Sequence, residues 1–155
     1  MSEPQIRATR YGAPVAQTLT AASMAELAVR YGGEGDATPI QPFEFDPPGG
    51  GFLVAWVDGT PAGCGGWRTR VDDEDVAEIK RMYVAPEYRG RGLASGLLKR
   101  LEESARQAGK KQIVLETGTA QPEAIALYEK AGYVRIPDFG YYKGSEAVRS
   151  YGRDL

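Results

Sequence analysis

The residues of this chain best suited to chemistry are 89–94, Arg-Gly-Arg-Gly-Leu-Ala. Two glycines let the backbone approach a ligand closely, where a Cβ would stand in the way. They run into a stretch of helical period, whose first-turn N–H groups and positive dipole end attract an anion. A phosphate or pyrophosphate fits such a place. The same glycines would also serve simply to turn a strand into a helix. Two rival phosphate sites fail on spacing. A P-loop needs Gly-x-x-x-x-Gly-Lys-Ser/Thr, and here Gly92 is followed by Leu-Ala. A dinucleotide fingerprint needs a third glycine where Ser95 stands, and it belongs in the first βα unit rather than late in the chain.

Acid–base chemistry is narrowed by what is missing. The chain has no histidine and a single cysteine, Cys64. Histidine triads, Cys–His dyads and the usual zinc sites are therefore excluded, and no metal is expected. Proton transfer must fall to Glu, Asp, Tyr, Lys, water or the backbone. A formal charge of −2 leaves no electrostatic footprint for nucleic acid. No apolar run approaches the ~20 residues that span a membrane, and no signal-peptide pattern opens the chain. With one cysteine and no partner for it, the expected location is the cytoplasm.

The elements that must position these groups follow from hydrophobic period and turn residues. The 155 residues read as one domain, 1–155. Residues 5–10 form a short strand and 13–31 a helix, with Val15, Leu19, Met24, Leu27 and Ala28 as core positions. Residues 32–51, rich in Gly, Pro and acids, are too long for an ordinary connection and carry Phe43 and Phe45. Strands at 51–57 and 61–71 flank the hairpin turn Asp58-Gly59. An acidic turn, 72–75, leads to a strand at 76–84 that runs into Pro86 and the glycine loop. The helix at 93–108 has an apolar stripe of Leu93, Leu97, Leu98, Leu101, Ala105 and Ala108, stopped by Gly109. A buried-type strand at 112–117, a helix at 122–130 closed by Gly132, and strands at 133–136 and 147–154 complete the chain. This alternation predicts an α/β fold: a mixed sheet of about six to seven strands with helices on both faces.

From about residue 77 to 133 the chain resembles the GCN5-related N-acetyltransferases (GNAT family). Their acetyl-CoA motif, Arg/Gln-x-x-Gly-x-Gly/Ala, is matched by Arg89-Gly90-Arg91-Gly92-Leu93-Ala94. The strand text 77–84 and Pro86 precede it. Residues 123–133 resemble the family's helix ending in Leu-Tyr-x-x-x-Gly-Tyr/Phe. The resemblance implies the GNAT fold and acetyl-CoA as co-substrate. It implies that the backbone of Arg89, Gly90, Arg91, Gly92, Leu93 and Ala94 holds the CoA pyrophosphate, with Arg89 or Arg91 adding charge. It also implies that main-chain groups of Met82 and Val84 receive the pantetheine arm, the Met82 N–H polarising the thioester carbonyl.

An alkyl amine with pKa near ~10.4 is mostly protonated at neutral pH, so a base must remove its proton. Glu78 is the favoured base, on the strand where several family members place a catalytic glutamate. Glu78, Lys80 and Arg81 are unusual on a central strand unless part of it borders a polar cleft. The plainer role for Glu78 is an ion pair with Lys80, Arg81 or a neighbouring strand. Glu116 is the alternative base, and water a third. Tyr128 takes the family's general-acid position, or else packs with Ile125 and Ala131, while Tyr133 is a core aromatic. The family's cofactor-touching asparagine is not matched, for Gln121-Pro122 stands nearby. Cys64 reads as a small buried strand residue.

The amine acceptor, a small molecule or peptide, should meet residues outside the motifs. Candidates are Glu34, Asp36, Phe43, Glu44 and Phe45 in the long loop, and Phe139, Tyr141 and Tyr142 near the end. Acidic and aromatic groups together would suit a cationic amine. The alternatives are a non-catalytic acyl-CoA-binding domain, and an acyltransferase using another donor or an oxygen acceptor. A homodimer is also expected, paired through the terminal strand at 147–154.

Overall fold

In the computed structural model, which describes residues 3–155, these periodicities become a seven-stranded sheet and three helices. The elements are β1 (Gln5–Ala8), α1 (Pro14–Tyr31), β2 (Gly50–Val57), β3 (Thr60–Arg70), β4 (Asp73–Val84), α2 (Leu93–Gln107), β5 (Gln112–Gly118), α3 (Pro122–Lys130), β6 (Val134–Arg135) and β7 (Val148–Asp154). Single 3₁₀ turns occupy Pro42–Phe45 and Pro86–Tyr88. The sheet order is β1-β2-β3-β4-β5-β7-β6. Every pairing is antiparallel except β4 with β5. A parallel pair needs a crossover, and α2 supplies it.

Local rules account for most of this. Asp58 and Gly59 both take positive φ, +49° and +80°, the conformation a two-residue hairpin demands between β2 and β3. The acidic stretch at 73–75, expected as a turn, instead begins β4, and the reversal is confined to Val71 and Asp72. The leucine stripe of α2 is buried from Leu93 to Ala105, whereas Ala108 lies exposed beyond the helix end.

The two faces of the sheet hold separate cores. Leu53, Ala55 and Val57 pack with α2, and with Tyr128 and Tyr133. Phe52 and Val54, pointing the opposite way, pack with Phe45 and with Ala16 and Leu19 of α1. Helix α1 departs from the expected face. Its buried residues are Ala16, Leu19, Thr20 and Ser23, with only Leu19 in common with the expectation. These four lie at i, i+3, i+4, i+7 on one face of the helix, and three of them are small. Thr20 Oγ1 meets its own need by donating to Ala16 O at 3.0 Å.

Strand β7 lies between β5 and β6, with Tyr151 and Gly152 paired on both sides. The terminal strand therefore cannot offer that stretch to a second copy. The sheet edges are β1 and β6.

Candidate active site

The parallel ladder between β4 and β5 has three pairs, Val76–Gln112, Ala77–Ile113 and Glu78–Val114, and then stops. Past that point β4 stays with β3 and β5 stays with β7. A bulge accompanies the parting: Cys64 faces Tyr83 and Gly66 faces Lys80, so Arg81 and Met82 together oppose Gly65. Arg81 takes φ +63°, rare for a residue with a side chain. A bulge of this kind bends a strand and increases its twist. Gly65 tolerates the close approach because a Cβ there would lie 2.5 Å from Met82 Sδ.

The parting opens a cavity of about 250 Å³, walled by Ile79 to Met82 on β4 and Leu115 to Gly118 on β5. Ser23, Leu27 and Tyr31 of α1 border it from one face of the sheet, and Tyr128 of α3 borders it from the other. Residues from both faces of the sheet thus border it. The end of α1 is tied across it. Tyr31 OH accepts from Ala120 N at 3.1 Å, and Arg30 pairs with Glu123 at 2.6 Å.

Four charged residues border the cavity: Asp36, Lys80, Arg81 and Glu116. Asp36, from the long loop, is the hub. Its Oδ2 meets Arg81 Nη1 at 2.6 Å and Lys80 Nζ at 3.0 Å. Its Oδ1 accepts from Thr38 N at 2.9 Å, Thr38 Oγ1 at 2.6 Å and Tyr142 OH at 3.0 Å. Burial alone would raise the Asp36 pKa. The Lys80 charge, the Thr38 hydrogen bonds and the Arg81 charge outweigh it and hold the carboxyl well below the usual range. Lys80 and Arg81, expected either beside a polar cleft or as partners for Glu78, border the cavity and are paired there with Asp36, so the expected acidic lining is charge-balanced. The signal available in the sequence was the run of charges on a central strand.

The two candidate bases separate. Glu78 is buried in the paired part of β4, where its Oε1 accepts from Arg68 Nε at 3.1 Å, and it does not line the cavity. This is the neighbouring-strand ion pair that was its plainer reading. Glu116 does border the cavity, and its Oε2 accepts from Tyr142 N at 3.1 Å. Gly140 packs against that carboxylate, where a Cβ would fall 2.4 Å from Oε1. Burial raises the Glu116 pKa. Lys80 and the Tyr142 N–H oppose the rise, and Glu78 and Asp36 add to it.

Tyr128 is buried against Tyr133, ring centroids 5.7 Å apart, and burial pushes its phenol pKa up. No protein group among the described residues bonds its hydroxyl, whereas Tyr133 OH donates to Glu102 at 2.7 Å. Cys64 is buried outside the cavity, its thiol pushed up to about 12 by burial.

The glycine loop fits an anion. Gly90 and Gly92 take φ +77° and +82°, and space where a Cβ would sit is open at both. Gly92 is the N-cap of the 15-residue α2 and has no side chain to satisfy the first-turn N–H groups. Leu93 is buried and anchors that turn to the core. Arg89 points back toward α1: its Nε donates to Val84 O at 2.8 Å and its Nη2 to Glu26 at 2.6 Å. Arg91 is exposed, its guanidinium 5.6 Å from the centre of the Tyr88 ring. Met82 lines the cavity, Val84 lies two residues on, and Ala94 is half-buried in the first turn of α2.

Of the expected acceptor residues, Asp36 and Tyr142 reach the cavity. Glu34, Phe43 and Tyr141 are exposed, Phe45 is buried in the core, Glu44 bonds Arg68, and Phe139 lies under Arg70. Gln121 borders the cavity. Among the described residues no helix is long and apolar enough to cross a membrane.

The profile of the acetyltransferase (GNAT) family matches residues 20–133. An IAA acetyltransferase of Azospirillum brasilense is 45% identical over 92 residues, 59% of each chain. N-acetylaspartate synthetase of Danio rerio is 34% identical over 115 residues, 74% of this chain and 40% of that one. The chain thus spans little more than half the length of such relatives, or less. Among solved structures, a candidate acyl-CoA N-acyltransferase from Klebsiella pneumoniae superposes with TM-score 0.80 at 27% identity, covering 98% of this chain and 97% of the other. An acetyltransferase from Streptococcus agalactiae shares the fold over the whole of both chains, with TM-score 0.76 at 19% identity.

Proposed function

The chain belongs to the acetyltransferase (GNAT) family, and from that premise we propose that it moves an acetyl group from acetyl-CoA directly to a primary amine, both substrates meeting in the cavity between β4 and β5. The observation that carries this reading is the parting of those strands beside Tyr128 and Glu116, on the strand that runs into the glycine loop. The loop fits the diphosphate of CoA, since open glycines and an uncapped helix start offer N–H groups to an anion. When bound, acetyl-CoA supplies an acetyl thioester.

The chain's own groups would do the rest. The backbone of residues 90–94 holds the diphosphate, Arg89 braces the loop through Val84 and Glu26, and Arg91 faces solvent at its edge. The main chain of Met82 and Val84 guides the pantetheine arm, and a donor such as the Met82 N–H aimed at a developing oxyanion contributes on the order of 10²–10³ in rate. Glu116, directly or through water, takes the proton of the incoming ammonium. Its raised pKa brings it closer to neutrality, which suits a general base. Glu78 adds to the negative charge that raises it. Tyr128, kept protonated by burial, returns a proton to the leaving thiolate.

The experiment is to incubate the protein with acetyl-CoA and a mixed panel of primary amines, and to measure free CoA thiol against a control without acceptor. Amine-dependent release is expected. Acetyl-CoA binding without release over the whole panel would replace the transferase by a binding domain.

A further inference from the structure

Three buried side-chain polar atoms among the described residues have no hydrogen-bond partner, and two belong to residues that border the cavity: Nε of Arg81 and Oε1 of Glu116. Buried polar groups are nearly always met, so each such atom asks for an explanation. One is a donor that carries positive charge, and the other is a carboxylate acceptor. They stand on opposite walls, β4 and β5.

The charges around them sharpen the point. On the β4 wall the Arg81 guanidinium and the Lys80 ammonium, with side chains 7% and 5% exposed, share one carboxylate oxygen of Asp36. One negative charge serves two positive ones, so that wall keeps a cationic surplus. Asp36 cannot also receive an ammonium, for both its oxygens are taken up by five donors. On the β5 wall Glu116 is the group left to receive an amine. A purely cationic acceptor would suit Glu116 but would meet repulsion at Lys80 and Arg81. An acceptor without a carboxylate would leave the cationic surplus of the β4 wall without a counter-charge.

We propose, resting on the transferase reading above, that the acceptor is a small amine that also carries a carboxylate, an amino-acid-type zwitterion. Its carboxylate is received at the β4 wall by the cationic pair Arg81 and Lys80, and its amine faces Glu116. Asp36 is the positioning residue that holds both cations at the β4 wall. Arg81 is the specificity-determining residue, fixed on the bulge at φ +63° rather than carried by a flexible loop.

The test compares matched acceptors with acetyl-CoA: L-alanine, L-methionine and L-aspartate, each against its α-carboxamide, and 4-aminobutyrate against butylamine. The carboxamides have less basic amines and so more free amine near neutrality, which makes intrinsic reactivity run against the expected result. Acids are expected to exceed their partners by about tenfold or more in kcat/KM, because the partner leaves the cationic wall without a counter-charge. Arg81→Met should bring that ratio close to one while leaving acetyl-CoA affinity unchanged. The ratio in the unaltered protein decides the matter even where the variant does not fold. Amides and plain amines that match or exceed the acids would overturn this inference and leave the transferase standing. No transfer to any compound in the panel would remove the transferase reading, and this inference with it.

Discussion

Glu78 and Val114 are the last partners of the parallel β4–β5 ladder, and the residues after them, Ile79 and Leu115, line opposite walls of the cavity. Two glutamates on adjoining strands therefore meet different fates. Glu78 lies on the closed side with Arg68, and Glu116 on the open side. Glu78→Gln should lower stability by about 1–3 kcal/mol, since it weakens a charged hydrogen bond in a buried place, and change kcat only severalfold. Glu116→Gln should lower kcat by about 10²–10⁴, the range for losing a general base, with little loss of stability. Thermal denaturation and steady-state kinetics on both variants check this. The reverse pattern would return the base role to Glu78.

The rate should also carry the titration of Glu116. A base must be deprotonated to act, and burial raises the pKa of this carboxyl. At saturating substrates kcat should therefore rise with pH along a limb whose midpoint lies above that of a free glutamate. Glu116→Gln should lack the limb. A limb that persists in the variant would assign it to another group.

Asp36 makes the opposite prediction for stability. Its folded pKa is depressed, so its contribution is fully present above the unfolded value, near ~3.9, and is lost as pH falls through the folded one. Asp36→Asn leaves Lys80 and Arg81 without their shared counter-charge and should cost about 3–5 kcal/mol at neutral pH. The gap between variant and wild type should narrow as the solution is acidified. Denaturant titrations at several pH values measure it.

Gly90 and Gly92 sit in the left-handed region with open space where a Cβ would point. Alanine at either should cost about 1–2 kcal/mol in backbone strain. The larger effect should fall on CoA affinity, because the added methyl would occupy the approach to the helix N-terminus. Calorimetric titration with CoA, set beside a melting curve, separates the two effects. Equal affinity in wild type and both variants would count against the loop as the diphosphate site.

Tyr128→Phe removes a hydroxyl that bonds no protein group among the described residues, while keeping the ring against Tyr133. Stability should hardly change, and kcat should fall by about 10² or more if that hydroxyl is the general acid. Unchanged kcat would leave Tyr128 a packing residue.

Much of this could be read before folding was considered. The leucine stripe of α2, the Asp58-Gly59 turn and the loop 89–94 each rest on residues a few positions apart, so local geometry suffices to specify them. The site walls are another matter. Asp36 meets Arg81 across 45 positions of chain, and no periodicity announces such a pair. Helix α1 buries a face of mostly small side chains, Ala16, Leu19, Thr20 and Ser23, which hydrophobic period alone does not select. The distinction between Glu78 and Glu116 lay outside the sequence for the same kind of reason. Alternation of side chains says which face of a strand a residue takes, but not where two strands part. That point accompanies the bulge at Arg81 and the separate loyalties of β4 to β3 and β5 to β7, which exist only once the whole sheet is assembled.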